Sequence, residues 1–445
     1  VIAPARVAAF DTVLAVVAGR ADLPSALARA RTKLQDERDR ALAGEIATGT
    51  LRWQGAFDRV IESFAGRPTA RLDSEVLVIL RISIFQLLHL DRVPAAAIVS
   101  DAVELAGKAG KRSAAGFVNA LLRRVSRERD QLPLPTQPPI DVLAITLSHP
   151  RWLAARWLAR HGFLAADAWE RFDNEPAPLT LRANTLRTTR DALADDLLKA
   201  GVRTEIARFA AQGLIVVSGN PLLTPLARTG AFFVQDETSQ LVGEFVAAAR
   251  GERILDACAS PGGKTTQMAA AMEDVGTIVA ADVRGRRLEL LARTVAESGA
   301  RRVRVVQADA RALPPFTDVF DAVLLDAPCS GLGTIRRDPD IRWRRTEADL
   351  ATLAGAQHEM LARLATVVRP GGRLIYSTCS SEPEENEHLV RAFLAGHPEF
   401  RRGRPTLFDR RPELAALLDD EGALKTLPFR DGLEAFYAAV LNRDP

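Results

Sequence analysis

The chain has 445 residues, 47% of them hydrophobic and 26% charged, with a formal net charge of +3. That length exceeds one typical core and suits two or three domains, and the composition excludes a disordered or collagen-like chain. A charge this close to neutral makes the whole-molecule field a weak guide to partners, and three separated cysteines without CxxC spacing exclude a disulfide framework and argue against a metal site.

The opening VIAPARVAAFDTVLAVVAGR lacks the basic region and cleavage site of a signal peptide. No apolar run approaches the roughly 18–20 residues of a bilayer-spanning helix, so no membrane association and a cytoplasmic location are expected. Residues 1–130 read as helix throughout, with apolar positions at helical spacing in RVAAFDTVLAVV, EVLVILRISIFQLLHL and AGFVNALLRRV. Arg123, Arg124, Arg127 and Arg129 cluster near the end of this all-α region, as a binding patch or as a solvated helix face. Of the 59 basic residues six are Lys, and the excess of Arg fits either codon usage or the recognition of phosphates by a planar fork.

Residues 131–149 are a linker, because QLPLPTQPPI holds four prolines. Residues 150–245 read as a small α+β region. Pro150 opens a helix, RWLAARWLARHG, with Trp152, Leu153 and Trp157 on its buried side. After it come a strand at TLRAN, a helix near 188–200, a strand at GLIVV (213–217) and a helix after Gln235. From 246 to 445 the pattern turns to α/β. RILDAC, TIVAADV, VRVVQAD, DAVLLDAP and RLIYSTC are short runs rich in Val, Ile and Leu, mostly separated by helical segments. A buried parallel sheet with crossover helices requires that alternation.

Ligands of such sheets bind at the carboxyl ends of the strands. Here those ends carry Asp256 and Cys258, Asp282, Asp309, Asp326 and Cys379. The turn DACASPGGKTT (256–266) lets the backbone approach a ligand closely at Gly262 and Gly263 and opens a helix whose first N–H groups are free. It mimics a P-loop, but Cys258 stands at the first required glycine and Pro261 removes an amide from the cradle. Asp282 closes the second strand, where a carboxylate accepts ribose hydroxyls, and Asp309 closes the third, near where an adenine would lie. A ring of carboxylates suits a cationic, phosphate-free nucleoside cofactor such as S-adenosylmethionine and repels a phosphate. Cys329 in DAPCSG and Cys379 in TCSSEPEEN follow two different strands at this same edge, a place that buried structural cysteines have no reason to prefer. The helix of PEENEHLV shortly after Cys379 is expected to favour its thiolate. The stretch GTIRRDPDIRWRR (333–345) reads as an exposed loop whose five arginines and Trp343 suit a phosphate backbone and a stacked base.

The segments DACASPGGKT, DAPCSG and TCS with its trailing acidic helix, together with QDETSQLV (235–242), resemble the RNA 5-methylcytosine methyltransferase family in order and spacing over the last two thirds of the chain. RVPAAAIVSDAVELAGKAGKRSAAGFVNALLRRV (92–125) resembles the NusB-type helical RNA-binding fold. The resemblance implies a Rossmann-like methyltransferase domain preceded by a NusB-like domain and a small α+β linker domain. It also implies S-adenosylmethionine as cofactor, held by Cys258, Ala259, Ser260, Pro261, Gly262, Gly263, Lys264, Asp282, Asp309 and Asp326. Cys379 would add to C6 of cytosine, Asp326 would hydrogen-bond the base near N3, and Cys329 would assist release of the adduct. The NusB-like part points to small-subunit (16S) ribosomal RNA as partner, with transfer RNA as the alternative. A P-loop-like nucleotidase leaves both cysteines idle, and a non-catalytic RNA-binding factor has no use for Cys379. One departure is Leu433–Glu434, where the family places an aromatic pair.

Overall fold

In the computed structural model residues 2–312, 319–405 and 407–445 are described. The chain falls into two units, Val1–Pro176 with Ile335–Glu347, and Ala177–Thr334 with Ala348–Pro445. The helical pattern of the first 130 residues forms α1 (Pro4–Val17), α2 (Leu23–Arg31), α3 (Glu37–Arg52), α4 (Gln54–Ala65), α5 (Ser74–His89), α6 (Ala95–Lys108) and α7 (Ala115–Arg127). Asp22 and Asp36 cap α2 and α3 through their carboxylates. Helix α5 is apolar on nearly every side and is buried almost without a break from Val76 to Leu87, which makes it the centre of the bundle. All four residues of the arginine cluster are exposed, and Arg124 lies over the Phe64 ring at 4.1 Å and pairs with Glu128.

After the proline-rich stretch come α8 (Pro139–Asp141) and α9 (Arg151–Asn174), which breaks at Gly162 (φ 75°). Trp157 and Trp169 stack at 4.3 Å across this break, both buried with Leu153, whereas Trp152 is half-buried. Helix α9 belongs to the first unit and the rest of 150–245 to the second.

The stretch expected as an exposed RNA-contacting loop is corrected here. Residues 335–347 pack into the first unit. Arg342 is fully buried and donates to the carbonyl of Ser148 and to Oδ1 of Asn174, both at 3.0 Å. The Trp343 indole N–H donates to the Leu51 carbonyl at 2.7 Å, and a side chain at Gly55 would crowd the ring. Arg336 lies over Phe172 at 4.2 Å and donates to the Pro176 carbonyl. Arg344 alone of the five is exposed, and it pairs with Asp340. These arginines satisfy buried carbonyls and carboxylates, so composition indicated their charge correctly and their surroundings wrongly.

The second unit opens with an antiparallel sheet of β1 (Thr180–Ala183), β2 (Arg203–Ile206), β3 (Gly213–Ser218) and β4 (Phe232–Val234) in the order β2-β3-β1-β4, with α10 (Arg190–Lys199) packed on it. Helix α11 (Glu237–Phe245) follows, then β5 (Arg253–Asp256), α12 (Gly263–Ala271), β6 (Thr277–Asp282), α13 (Gly285–Ser298), β7 (Val303–Gln307) and β8 (Phe320–Asp326). The chain passes through α14 (Ile341–Arg344) of the first unit and returns as α15 (Glu347–Ala365), β9 (Val368–Thr378), α16 (Glu387–Gly396), β10 (Phe400–Gly403), β11 (Leu424–Lys425) and β12 (Tyr437–Arg443). The large sheet runs β10-β12-β9-β8-β5-β6-β7, parallel from β9 to β7 and antiparallel at β12. Strand order therefore reverses between β5 and β8, the crevice where a Rossmann-like sheet binds its ligand. Leu433 is buried in the core beside Phe436, so the departure from an aromatic pair leaves that corner packed. Among the described residues no helix is long and apolar enough to cross a membrane.

Candidate active site

Strand β5 delivers Asp256 to the base of the glycine turn. The turn is pinned to both neighbouring strands, since Ala257 N–H donates to Leu324 O at 2.9 Å and Ala259 N–H to Ala281 O at 2.8 Å. Gly262 has φ +105°, and a Cβ there would meet Leu291 and Thr294 of α13 at 3.0–3.2 Å. Only glycine reconciles that backbone with so close a helix. Residues Cys258 to Lys264 thereby wrap the N-terminus of α12.

Asp256 is buried. One carboxylate oxygen accepts from Thr265 Oγ1 at 2.6 Å, and the other has no partner among the described residues. Burial pushes its carboxyl up to about 7 against the Thr265 hydrogen bond, and the nearby Asp326 adds to the rise. Burial, then Asp256, Asp326 and Asp282, push the Cys258 thiol up to about 12, so it stays protonated and is no nucleophile. Asp282 is buried at the end of β6, and Asp309 lies just beyond β7. The Asp309 carboxylate accepts from Arg311, which holds it below the usual carboxylate range. An orphaned carboxylate oxygen, a second buried aspartate at the adjoining strand end and a glycine cradle fit S-adenosylmethionine, which offers cationic and hydroxyl donors to just such acceptors.

Across the crevice, Asp326 ends β8. Its oxygens accept from Ser377 Oγ at 2.8 Å and Lys264 Nζ at 2.7 Å. Burial pulls the Lys264 ammonium down, but Asp326 more than offsets this, and the Cys379 charge raises it further. The cation near Cys379 is therefore Lys264, while the helix expected to play that part, α16, begins only at Glu387 after a turn at Pro383–Glu385. The Cys329 and Cys379 sulfurs lie 3.4 Å apart. The hydrogen bond to Cys379, followed by burial, holds the Cys329 thiol well above its ordinary value.

Several supporting residues escaped the sequence reading. Gly333 N–H donates to the Cys379 carbonyl at 2.9 Å, and a Cβ at Gly333 would sit 1.8 Å from Ala435 O. Glu385 is buried and accepts from residues flanking both cysteines. Arg182 of β1, also buried, donates to Gln235 Oε1 at 2.6 Å and Thr266 Oγ1 at 2.8 Å, and so ties the small sheet to the glycine turn. QDETSQLV and TCSSEPEEN do mark Gln235 and Glu385 as belonging to motifs, but a motif does not say which of its polar residues faces inward. Among the described residues no group of three His, Cys, Asp or Glu is arranged to hold a metal ion.

The profile of the 16S rRNA methyltransferase RsmB/F family matches residues 244–442, that of the NusB family residues 3–127, and that of an RsmF/B-like ferredoxin-like domain residues 149–222. A probable ribosomal RNA small subunit methyltransferase B of Bacillus subtilis is 32% identical over 92% of this chain and 91% of its own length. The ribosomal RNA small subunit methyltransferase B of Pseudomonas putida is 35% identical over 89% of this chain and 90% of its own. Among solved structures, the protein PH0851 superposes over 100% of this chain and 99% of its own at a TM-score of 0.83 and 27% identity. A methyltransferase homologue from Pyrococcus horikoshii covers 69% of this chain and 99% of its own at a TM-score of 0.60 and 27% identity.

Proposed function

The chain belongs to the RsmB/F family of 16S rRNA methyltransferases, and from that premise we propose that it methylates C5 of a cytosine in small-subunit (16S) ribosomal RNA through a covalent bond between Cys379 and C6 of the base. The enzyme works in the cytoplasm. The observation that supports this chemistry is the pair of sulfurs, 3.4 Å apart, set beside the Asp326–Lys264 ion pair.

C5 of cytosine is a poor nucleophile until something adds at C6, and covalent catalysis divides that barrier into two smaller ones. The Cys379 thiolate supplies the electron pair for the new S–C6 bond, and the Lys264 ammonium, which the Cys379 charge raises, lies nearby. The electron density displaced toward N3 is taken up by a proton from solvent, and the resulting N3–H donates to the Asp326 carboxylate, which Lys264 and Ser377 hold in place. S-adenosylmethionine, held by residues 258–264 with Asp282, Asp309 and Asp326, supplies an electrophilic methyl group. Once water has taken the C5 proton, the C5–C6 double bond re-forms and the S–C6 bond breaks, returning its electron pair to Cys379. Cys329, kept as a thiol, directs its S–H at that sulfur and stabilises the returning charge. The base must leave its stack to be reached, which favours a loop or an opened helix of the RNA.

Adduct trapping tests the reading. With S-adenosylmethionine and unmodified 16S rRNA, Cys329→Ala should accumulate an RNA-linked protein band on a denaturing gel. Cys379→Ala should show neither adduct nor turnover while still binding the cofactor. Adduct-free, equal loss of activity in both variants contradicts the division of labour. Methylation of transfer RNA but not rRNA by the wild type overturns the choice of substrate.

A further inference from the structure

The carboxylate of Glu385 is fully buried, yet among the described residues no Lys or Arg pairs with it. It is satisfied instead by four donors. One oxygen accepts from the Ser330 N–H and from Gln357 Nε2, both at 2.8 Å. The other accepts from Ser330 Oγ and Ser380 Oγ, both at 2.5 Å, and those two hydroxyl oxygens are 3.0 Å apart. Ser330 follows Cys329 and Ser380 follows Cys379, so a single carboxylate spans the residues next to both sulfurs.

Its own position is fixed from behind. The Tyr376 hydroxyl donates to the Glu385 carbonyl at 2.6 Å and to Gln357 Oε1 at 3.1 Å. Gln357, on α15, also donates to the Pro328 carbonyl at 3.0 Å. The loop after β8 is thus held at Pro328 and Ser330, on either side of Cys329, and the loop after β9 at Ser380.

A buried carboxylate without a cation is expensive to maintain unless every lone pair finds a donor. A turn needed only for its backbone has no use for one. We propose that Glu385 is a positioning residue that locks the two cysteine loops together and so sets the distance between Cys329 and Cys379. The inference rests on the reading of Cys379 as the attacking and Cys329 as the releasing residue. It adds that the timing of release depends on a group that touches neither base nor cofactor. Ser330 carries the lock to the releasing cysteine and Ser380 to the attacking one.

The test has two arms on the full chain, with wild type, Glu385→Gln, Ser330→Ala and Ser380→Ala. In the first, hydrogen peroxide oxidises the two thiols to a disulfide and is itself reduced to two waters, and the Cys329–Cys379 linked peptides are quantified over time. Wild type should cross-link fastest, and the variants should be slower by on the order of 10- to 100-fold, the penalty for misplacing reacting groups by about an ångström. In the second, adduct formation and adduct release on 16S rRNA are timed separately, with cofactor binding as the control for folding. Ser330→Ala should accumulate adduct because release slows. Ser380→Ala should form adduct slowly and release it normally.

Unchanged cross-linking in all three variants overturns the proposal. So does an equal fall in formation and release in both serine variants, which is what mere loss of folded protein produces. If Cys329→Ala traps no adduct, the cytosine mechanism falls instead, and the cross-linking arm still decides whether Glu385 sets the sulfur distance.

Discussion

Asp256 shows how the site stores a demand for its ligand in a single side chain. The carboxyl is buried with one oxygen satisfied and one bare, and burial lifts it to about 7 from an ordinary 3.8. A carboxyl whose folded value is raised favours the folded state fully below the unfolded value, and that contribution fades as pH rises through the folded one. Ionised Asp256 is therefore the destabilising form. Between pH 4 and 7 the unfolding free energy of the wild type should fall relative to Asp256→Asn by up to about 1.4 kcal/mol per pH unit. Denaturant titrations of both proteins across that range measure the difference. A difference flat with pH would mean that the carboxylate finds a partner in the folded protein. The same low-dielectric pocket keeps Cys258 protonated, so the cysteine inside the glycine turn is no nucleophile.

At the scale of elements, the five parallel strands were legible in the sequence because each carries a short run of Val, Ile and Leu; β5, β6, β8 and β9 bury most of theirs, and the edge strand β7 keeps Val303 inside. β5 to β9 fall where RILDAC, TIVAADV, VRVVQAD, DAVLLDAP and RLIYSTC predict them. The site residues at their ends were legible for the same reason, since a strand's last residue inherits the sheet's edge. β2 and β4 were not, because they are only 4 and 3 residues long and partly exposed, too short to display a period. Nor was the way the β8 loop folds back beneath Cys379. That depends on Gly333, whose missing side chain leaves room for Ala435 O. Gly333→Ala should force these backbones apart and destabilise the protein by about 1–3 kcal/mol, the usual range for overpacking. Thermal unfolding reads that loss, and a stability equal to wild type would show that the loop can yield. Slower adduct formation at saturating cofactor should accompany it, because the displaced carbonyl is that of Cys379.

At the scale of the whole molecule, the chain passes between its two units three times, after Pro176, Thr334 and Glu347. Sequence reading took the segment between the second and third crossings for a solvent-exposed loop because its arginines look like a binding surface. What a sequence hides is that buried acids await them. Glu170 and Asp173 are both raised by burial, Asp173 to about 7, and both are drawn down again by Arg342, whose guanidinium burial lowers to about 10. Arg342→Met should leave these groups uncompensated and destabilise the first unit by about 3–5 kcal/mol. Limited trypsin digestion should then cut at Arg344 or Arg345 in the native protein. Resistance equal to wild type would show that Trp343 and Arg336 suffice to hold the segment. The interrupted path of the chain also bears on inheritance. A gene divided at the codon for Pro176 would yield an N-terminal product without Asp340, Arg342 and Trp343, and a C-terminal product with thirteen residues of its neighbour's interior in solvent. Neither half can be traded between lineages as a cassette by one crossover. A lineage that loses the first unit must therefore also replace residues 335–347, which would otherwise meet water.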